Sequence, residues 1–276
     1  MLIKSIRIFR FQLVSELSTL RTKLLFVMIG LFIYTHIEPV VNFSKSVQIK
    51  AMPWGYVHLI NDFTCQPVIM IGAIYLFSSA PFRRETHTYI VARSGKMNFE
   101  IGNTLYIFIM ALLYNSFLLA ISIVSLGSRL SFSSAWGKIW GTLARTNAGE
   151  QFQTKFIVND FIIGSYSPIH ATLISFILEL LCFAWIGYLI YFLNLLTNKA
   201  IGVIISGIFV LLDIMIYNSW ADSAYVISPI TLAQISTFTS VNVKYGLTLS
   251  YAFIFFTTSI LLFTIASFIT ARGKNA

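Results

Sequence analysis

The run Ile169–Leu196, IHATLISFILELLCFAWIGYLIYFLNLL, decides the fold class. It holds no Lys or Arg and one acid, Glu179. Crossing a hydrocarbon layer about 30 Å thick takes roughly 20 apolar residues in a helix, and this run exceeds that. Working outward, five more apolar stretches appear. They are Leu24–Val41, a stretch that starts at Tyr56 or Val68 and ends at Ala80, then Gly102–Leu126, Ala200–Trp220 and Leu247–Ala271. All but the second reach the required length; the start of the second is blurred by Asp62 and Pro67. The expectation is an all-α polytopic membrane protein, residues 1–276 forming one transmembrane domain with six transmembrane helices.

Composition agrees. Of 276 residues, 57% are hydrophobic and only 11% charged, with a mean hydropathy of +0.80; a soluble domain carries roughly 25% charged residues. The net charge of +9 would suggest nucleic acid in a soluble protein. Here the basic residues flank apolar spans, so membrane lipid explains them and no nucleic-acid partner is expected. With the N-terminus inside, twelve Lys and Arg fall on inner segments and seven on outer ones, four of the seven in one long loop. That bias favours cytoplasmic N- and C-termini. Trp54, Trp136, Trp140 and Trp220 then map to the outer side.

Residues 2–22 read as a basic amphipathic helix, with Leu2, Ile6, Phe9, Leu13, Leu17 and Leu20 at spacings of three and four. It lies in the cytoplasmic interface or extends the first span. It lacks the short apolar core and small-residue cleavage site of a leader, so no signal peptide is expected. The inner loop 81–100 is compact and charged. The outer loop 127–168 is long, with an amphipathic piece around Trp136–Leu143 and an apolar piece at Phe156–Ile163. The segment 222–236, containing Ser228-Pro229, is too short to cross and is read as a re-entrant stretch.

No catalytic motif is visible. Gly95-Lys96 lacks the upstream glycine and following Ser or Thr of a nucleotide-binding loop, and no HExxH zinc motif occurs. His36, His58, His87 and His170 are scattered, so no metal site is expected. Cys65 and Cys182 read as unpaired thiols. Glu179 and Asp213 sit in adjacent antiparallel spans at a shared depth, with no Lys or Arg in either span. A buried charge there costs several kcal/mol. The two carboxylates form either a polar patch on a translocation path, fit for a cationic substrate, or neutral acids bonded to neighbouring helices. Asn115 and Asn194 read as helix–helix bonds, Asn115 joining the carboxylates as a polar intramembrane group.

The inner loop carries a resemblance. Glu85, the apolar stretch Tyr89–Ala92 and the turn Arg93-Ser94-Gly95-Lys96 look like the coupling helix of ABC-2-type exporter permeases, the type V transporter fold. The leading amphipathic helix, the six spans and Ser228-Pro229 before the last span are similar in layout; the long loop 127–168 departs from it. The resemblance implies a non-catalytic permease in the cell membrane, paired with a second permease and with ABC ATPase subunits that hold ATP and Mg²⁺. It implies export of a peptide, antimicrobial or lipid, and coupling through Arg84, Glu85, His87, Tyr89, Arg93 and Lys96. By composition alone the loop equally suits a segment that only obeys the positive-inside rule. A stand-alone transporter or bacteriocin-immunity protein, with no ATPase partner, is the other reading of the chain.

Overall fold

The computed structural model describes residues 2–82, 87–238 and 247–273. The chain begins with α1 (Leu2–Leu17) and α2 (Leu20–Ser46), separated by Ser18 and Thr19. The Thr19 hydroxyl accepts from the Thr22 amide and starts α2, answering one of the four unpaired N–H groups of a helix start. Next come α3 (Gly55–Ile60) and α4 (Cys65–Phe77), then α5 (His87–Ser94) and α6 (Lys96–Val124). Three short helices follow, α7 (Gly137–Arg145), α8 (Ala148–Gln151) and α9 (Asp160–Ser165), and then α10 (Pro168–Thr197) and α11 (Ile201–Tyr217). A stretch of 3₁₀ turns around α12 (Pro229–Ala233) precedes α13 (Leu249–Gly273).

Helices α2, α6, α10 and α13 are long and apolar enough to cross a membrane. The second and fifth apolar stretches give shorter helices than the sequence suggested. α4 has 13 residues and α11 has 17, about 20 and 26 Å at 1.5 Å per residue. The second stretch is broken between Ile60, where α3 ends, and Cys65, where α4 begins; Asp62 in the gap holds the start of α4, its Oδ1 accepting from the amides of Thr64 and Cys65 at 2.9 and 3.1 Å. The fifth stops at Tyr217, with Ser219 in a left-handed conformation just beyond it.

α10 is the hub. It packs against α3, α4, α6, α11, α12 and α13, and 67% of its most apolar window is buried, against 17% for α13. Close approach needs small residues. A Cβ on Gly187 would sit 2.6 Å from Ile107, and one on Gly202 would sit 2.6 Å from the Ile190 Cα. The buried positions of α11, namely Gly202, Ser206, Val210, Asp213 and Ile216, follow helical spacing, while Ile204, Ile208 and Leu211 face outward. In lipid both faces are apolar, so small and polar residues mark the interior.

α1 lies along the start of α6. Its buried face is more polar than the leucine spacing implied: Ser5, Ile8, Gln12 and Glu16 are covered, whereas Ile6 is 45% exposed. At the other end of the bundle residues 127–166 fold into a cap. Trp54, Trp136 and Trp140 donate their indole N–H groups to Ala135, Tyr166 and Met52 carbonyls, each at 2.9 Å. A parallel bridge joins Ala51 to Leu130. His58 is enclosed between the Trp136 and Trp140 rings.

The glycine contacts predict an asymmetry. Gly202→Ala should cost about 1–3 kcal/mol, the usual penalty of overpacking, because it meets backbone that cannot move aside. Gly207→Ala in the same helix has open space and should leave the melting temperature in detergent unchanged.

Candidate functional site

Three tiers of buried polar groups run through the bundle. The first lies at the cap end, where α3 gives way to α4. Asn61 Oδ1 accepts from the Ser236 amide at 3.2 Å and Asn61 Nδ2 donates to Ser175 Oγ at 3.3 Å. The free oxygen of Asp62 accepts from the Ile157 amide of the cap at 2.9 Å. The turn thereby holds the cap, α10 and the stretch before α13 together. Across from it, Asp213 of α11 accepts from the Thr231 hydroxyl at 2.6 Å and from Gln234 Nε2 at 3.3 and 3.4 Å. Asp213 lines a cleft of about 250 Å³ with Asp62, Phe63 and Tyr217.

The second tier is mid-bundle. Glu179 of α10 is 0% exposed, and its Oε2 accepts from Gln66 Nε2 at 3.0 Å. Beside it, Tyr56 donates to Asn115 Oδ1 at 2.6 Å, and Asn115 Nδ2 donates to the Phe176 carbonyl at 2.8 Å. Asn115 is thus a clasp between α3, α6 and α10. Glu179 and Asp213 do not touch. Each has its own hydrogen-bond partners.

The third tier is at the α5 end. Tyr191 donates to Glu100 Oε2 at 2.5 Å and Asn103 Nδ2 donates to Tyr191 at 3.1 Å. Gln12 of α1 donates to the Phe82 carbonyl at 3.3 Å. Asn194 donates to the Ala80 carbonyl at 3.0 Å and accepts from the Gly202 amide at 2.8 Å, which ties α10 to the start of α11. Arg21 donates to the Tyr75 carbonyl and to Ser78, and its guanidinium lies 4.3 Å from the Tyr75 ring centroid.

The inner-loop residues divide. Arg84 and Glu85 lie outside the described residues, as does the side chain of His87. Tyr89, Arg93 and Lys96 are exposed, Tyr89 by 75%. α5 packs on α6, and the turn between them is Gly95 at φ +82°, a backbone region that costs L residues energy and glycine little. Lys4 of α1 donates to the Arg93 carbonyl at 3.4 Å, and Asn98 Nδ2 donates to the Ser94 carbonyl at 2.5 Å.

Sequence reading missed several of these residues. Gln66 and Glu100 sit at the edges of apolar runs and look like span boundaries, yet both are buried. Asp62 had a readable signal, an acid two residues before Thr64 at a helix start. Nothing local marks Thr231 and Gln234. Among the described residues no group of three or more His, Cys, Asp or Glu is placed to hold a metal ion.

Glu179 Oε1 and Gln66 Oε1 are both buried without a hydrogen-bond partner. A side chain at 179 that carries a donor, as a carboxamide does, satisfies this pair better than a bare carboxylate. Glu179→Gln should therefore keep the melting temperature, whereas Gln66→Leu, which strips Glu179 of its donor, should cost about 1–3 kcal/mol. If Glu179→Gln stays folded but loses activity, the carboxylate itself serves function; retained activity makes it a structural group.

No protein-family model matches the chain, and no match is found among curated proteins or solved structures.

Proposed function

We propose that this chain is the membrane subunit of an ABC-2-type exporter, moving a peptide, antimicrobial or lipid outward while a separate ATPase hydrolyses ATP with Mg²⁺. In this reading the chain crosses the cell membrane six times with both termini cytoplasmic. α3 and α4 together make the second pass, α11 makes the fifth, and α1 rests at the inner interface. The cap is extracellular, and residues 222–236 enter the outer leaflet and return. Two such subunits, identical or sister chains, pair with the ATPases.

The observation that carries this reading is α5. It is a short helix joined to the bundle on one side and open on the other, with Tyr89, Arg93 and Lys96 exposed. An aromatic ring between cations is a common anchor at protein interfaces, and a short helix seated in a partner's groove is a recurring docking mode. The Lys4 and Asn98 bonds fasten α5 to α1 and α6 across the Gly95 turn. A push on α5 then passes into a long helix rather than being lost in a loop.

Purified in mild detergent from its own host, the tagged chain should bring down a nucleotide-binding subunit. Tyr89→Ala combined with Arg93→Ala should lower transport-coupled ATP hydrolysis about tenfold, the loss expected from removing an aromatic–Arg anchor. The melting temperature should hold, since both side chains are exposed. A chain that confers activity alone and binds no ATPase is a stand-alone transporter or immunity protein instead.

A further inference from the structure

The cleft at the cap end has a composition that the rest of the chain does not predict. Its lining includes two charged side chains, Asp62 and Asp213, both acidic, in a protein with 19 Lys and Arg against 10 Asp and Glu. Asp213 is 4% exposed. Among the described residues no Lys or Arg pairs with it or with Asp62; Arg145 pairs with Asp160 on the exposed cap instead. The donors on Asp213 are the neutral groups of Thr231 and Gln234. Burying a carboxylate with no counter-charge is unfavourable unless a proton or a cation neutralises it, and a cleft that opens on the group gives a cation access.

The walls indicate what kind of cation fits. Phe63 and Tyr217 stack with ring centroids 3.6 Å apart and planes 5° apart, giving a flat aromatic slab at the cleft. Aromatic faces attract ammonium and guanidinium groups and pack against apolar stems. A tightly held divalent cation usually has several charged or imidazole ligands converging on one point, and among the described residues no group of three or more His, Cys, Asp or Glu is so placed. The cleft also continues. A second one of about 480 Å³ shares Asp62, Phe63 and Ile157 with it and adds Glu150 and Lys155. Both are bordered by Asp62 and Ile157, which the hydrogen bond from the Ile157 amide to Asp62 joins. Together they match the size of sites that hold drug-sized or larger molecules, so the occupant is longer than a single amine.

We propose that this trough binds a cationic amphipathic peptide, with one ammonium or guanidinium group opposite Asp213 and its apolar portion against the Phe63–Tyr217 slab. As cargo recognition this rests on the exporter reading; as binding it does not, and the test omits the ATPase.

The full-length chain is placed in nanodiscs of neutral phosphatidylcholine. Binding of a fluorescein-labelled hexapeptide of alternating Arg and Trp is followed by anisotropy, beside the same peptide with citrulline for every Arg. Wild type should bind the Arg peptide at least about tenfold more tightly than the citrulline peptide, a difference near 1.4 kcal/mol. Asp213→Asn should remove that preference, and Asp160→Asn should leave it intact. Gln234→Lys, which supplies an ammonium beside an unaltered Asp213, should also remove it, so the result does not depend on how Asp213→Asn folds. Equal binding of both peptides by wild type overturns the proposal, as does unchanged preference in Gln234→Lys with its melting temperature retained. Full displacement of the Arg peptide by equimolar spermidine overturns the peptide assignment in favour of a small polyamine. Loss of the charge preference leaves the α5 experiment untouched, and absence of an ATPase partner leaves this one untouched.

Discussion

Everything in this fold is arranged around the enclosure of α10. Lipid tails are as apolar as leucine, so helices inside a bilayer gain little by hiding apolar surface from them; association rests on close packing and on hydrogen bonds between helices. α10 uses both. Gly187 lets it approach Ile107 of α6, and Gly202 brings α11 against its backbone at Ile190. Its polar contacts with α6 run in antiparallel order: Phe176 with Asn115, Tyr188 with Thr104, Tyr191 with Asn103 and Glu100. α6 and α10 behave as a bonded pair to which the shorter helices are added.

The shorter helices bring the irregular backbone. Non-helical segments at depth are tolerated where protein covers them, and the break at Asn61–Thr64 meets that condition. Asn61 and Asp62 are buried, and between them they answer backbone groups of Thr64, Cys65, Ile157 and Ser236. An uninterrupted helix from Gly55 to Phe77 would have no such turn. It would lose the attachment of the cap and the edge that forms the acidic cleft. The short α4 and the cleft are therefore one feature with one cause, the capping carboxylate of Asp62.

Much of this was readable from sequence, and the unread part has a common origin. Hydropathy located the long spans; composition left the loop 81–100 open between a helix and a plain charged connection, and the structure has a helix there at His87–Ser94. Hydropathy also placed Glu179 and Asp213 in the interior of apolar runs, where they are buried. It failed at boundaries. The stretch ending at Ala80 gave a broken pair of helices, and the one at Ala200–Trp220 gave a helix ending at Tyr217. Hydropathy measures preference for lipid over water; it does not say which polar residue meets another helix. Ser5 and Gln12 look like the wet face of α1 but are buried, and Gln66 looks like a span edge but holds Glu179. The spacing of Gly202, Ser206 and Asp213 was the better guide to the buried face of α11, because in lipid a small or polar residue has reason to turn inward.

The two ends of the bundle also differ in how they are held, and α10 links them. At the cap end, Ser175 of α10 meets Asn61, whose neighbour Asp62 holds the cap. At the α5 end, Tyr191 and Asn194 meet Glu100 of α6 and the Ala80 carbonyl. A helix of 30 residues is about 45 Å long, and packed interiors transmit displacement because they do not deform continuously. In the proposed exporter, movement of α5 enters α6 at Gly95 and crosses to α10 through Glu100 and Tyr191. It arrives at Ser175 beside the turn that forms one wall of the acidic cleft. In that reading the cleft changes shape with α5 even though no residue of one touches the other, and this mechanical continuity joins the proposed docking helix to the proposed cation site.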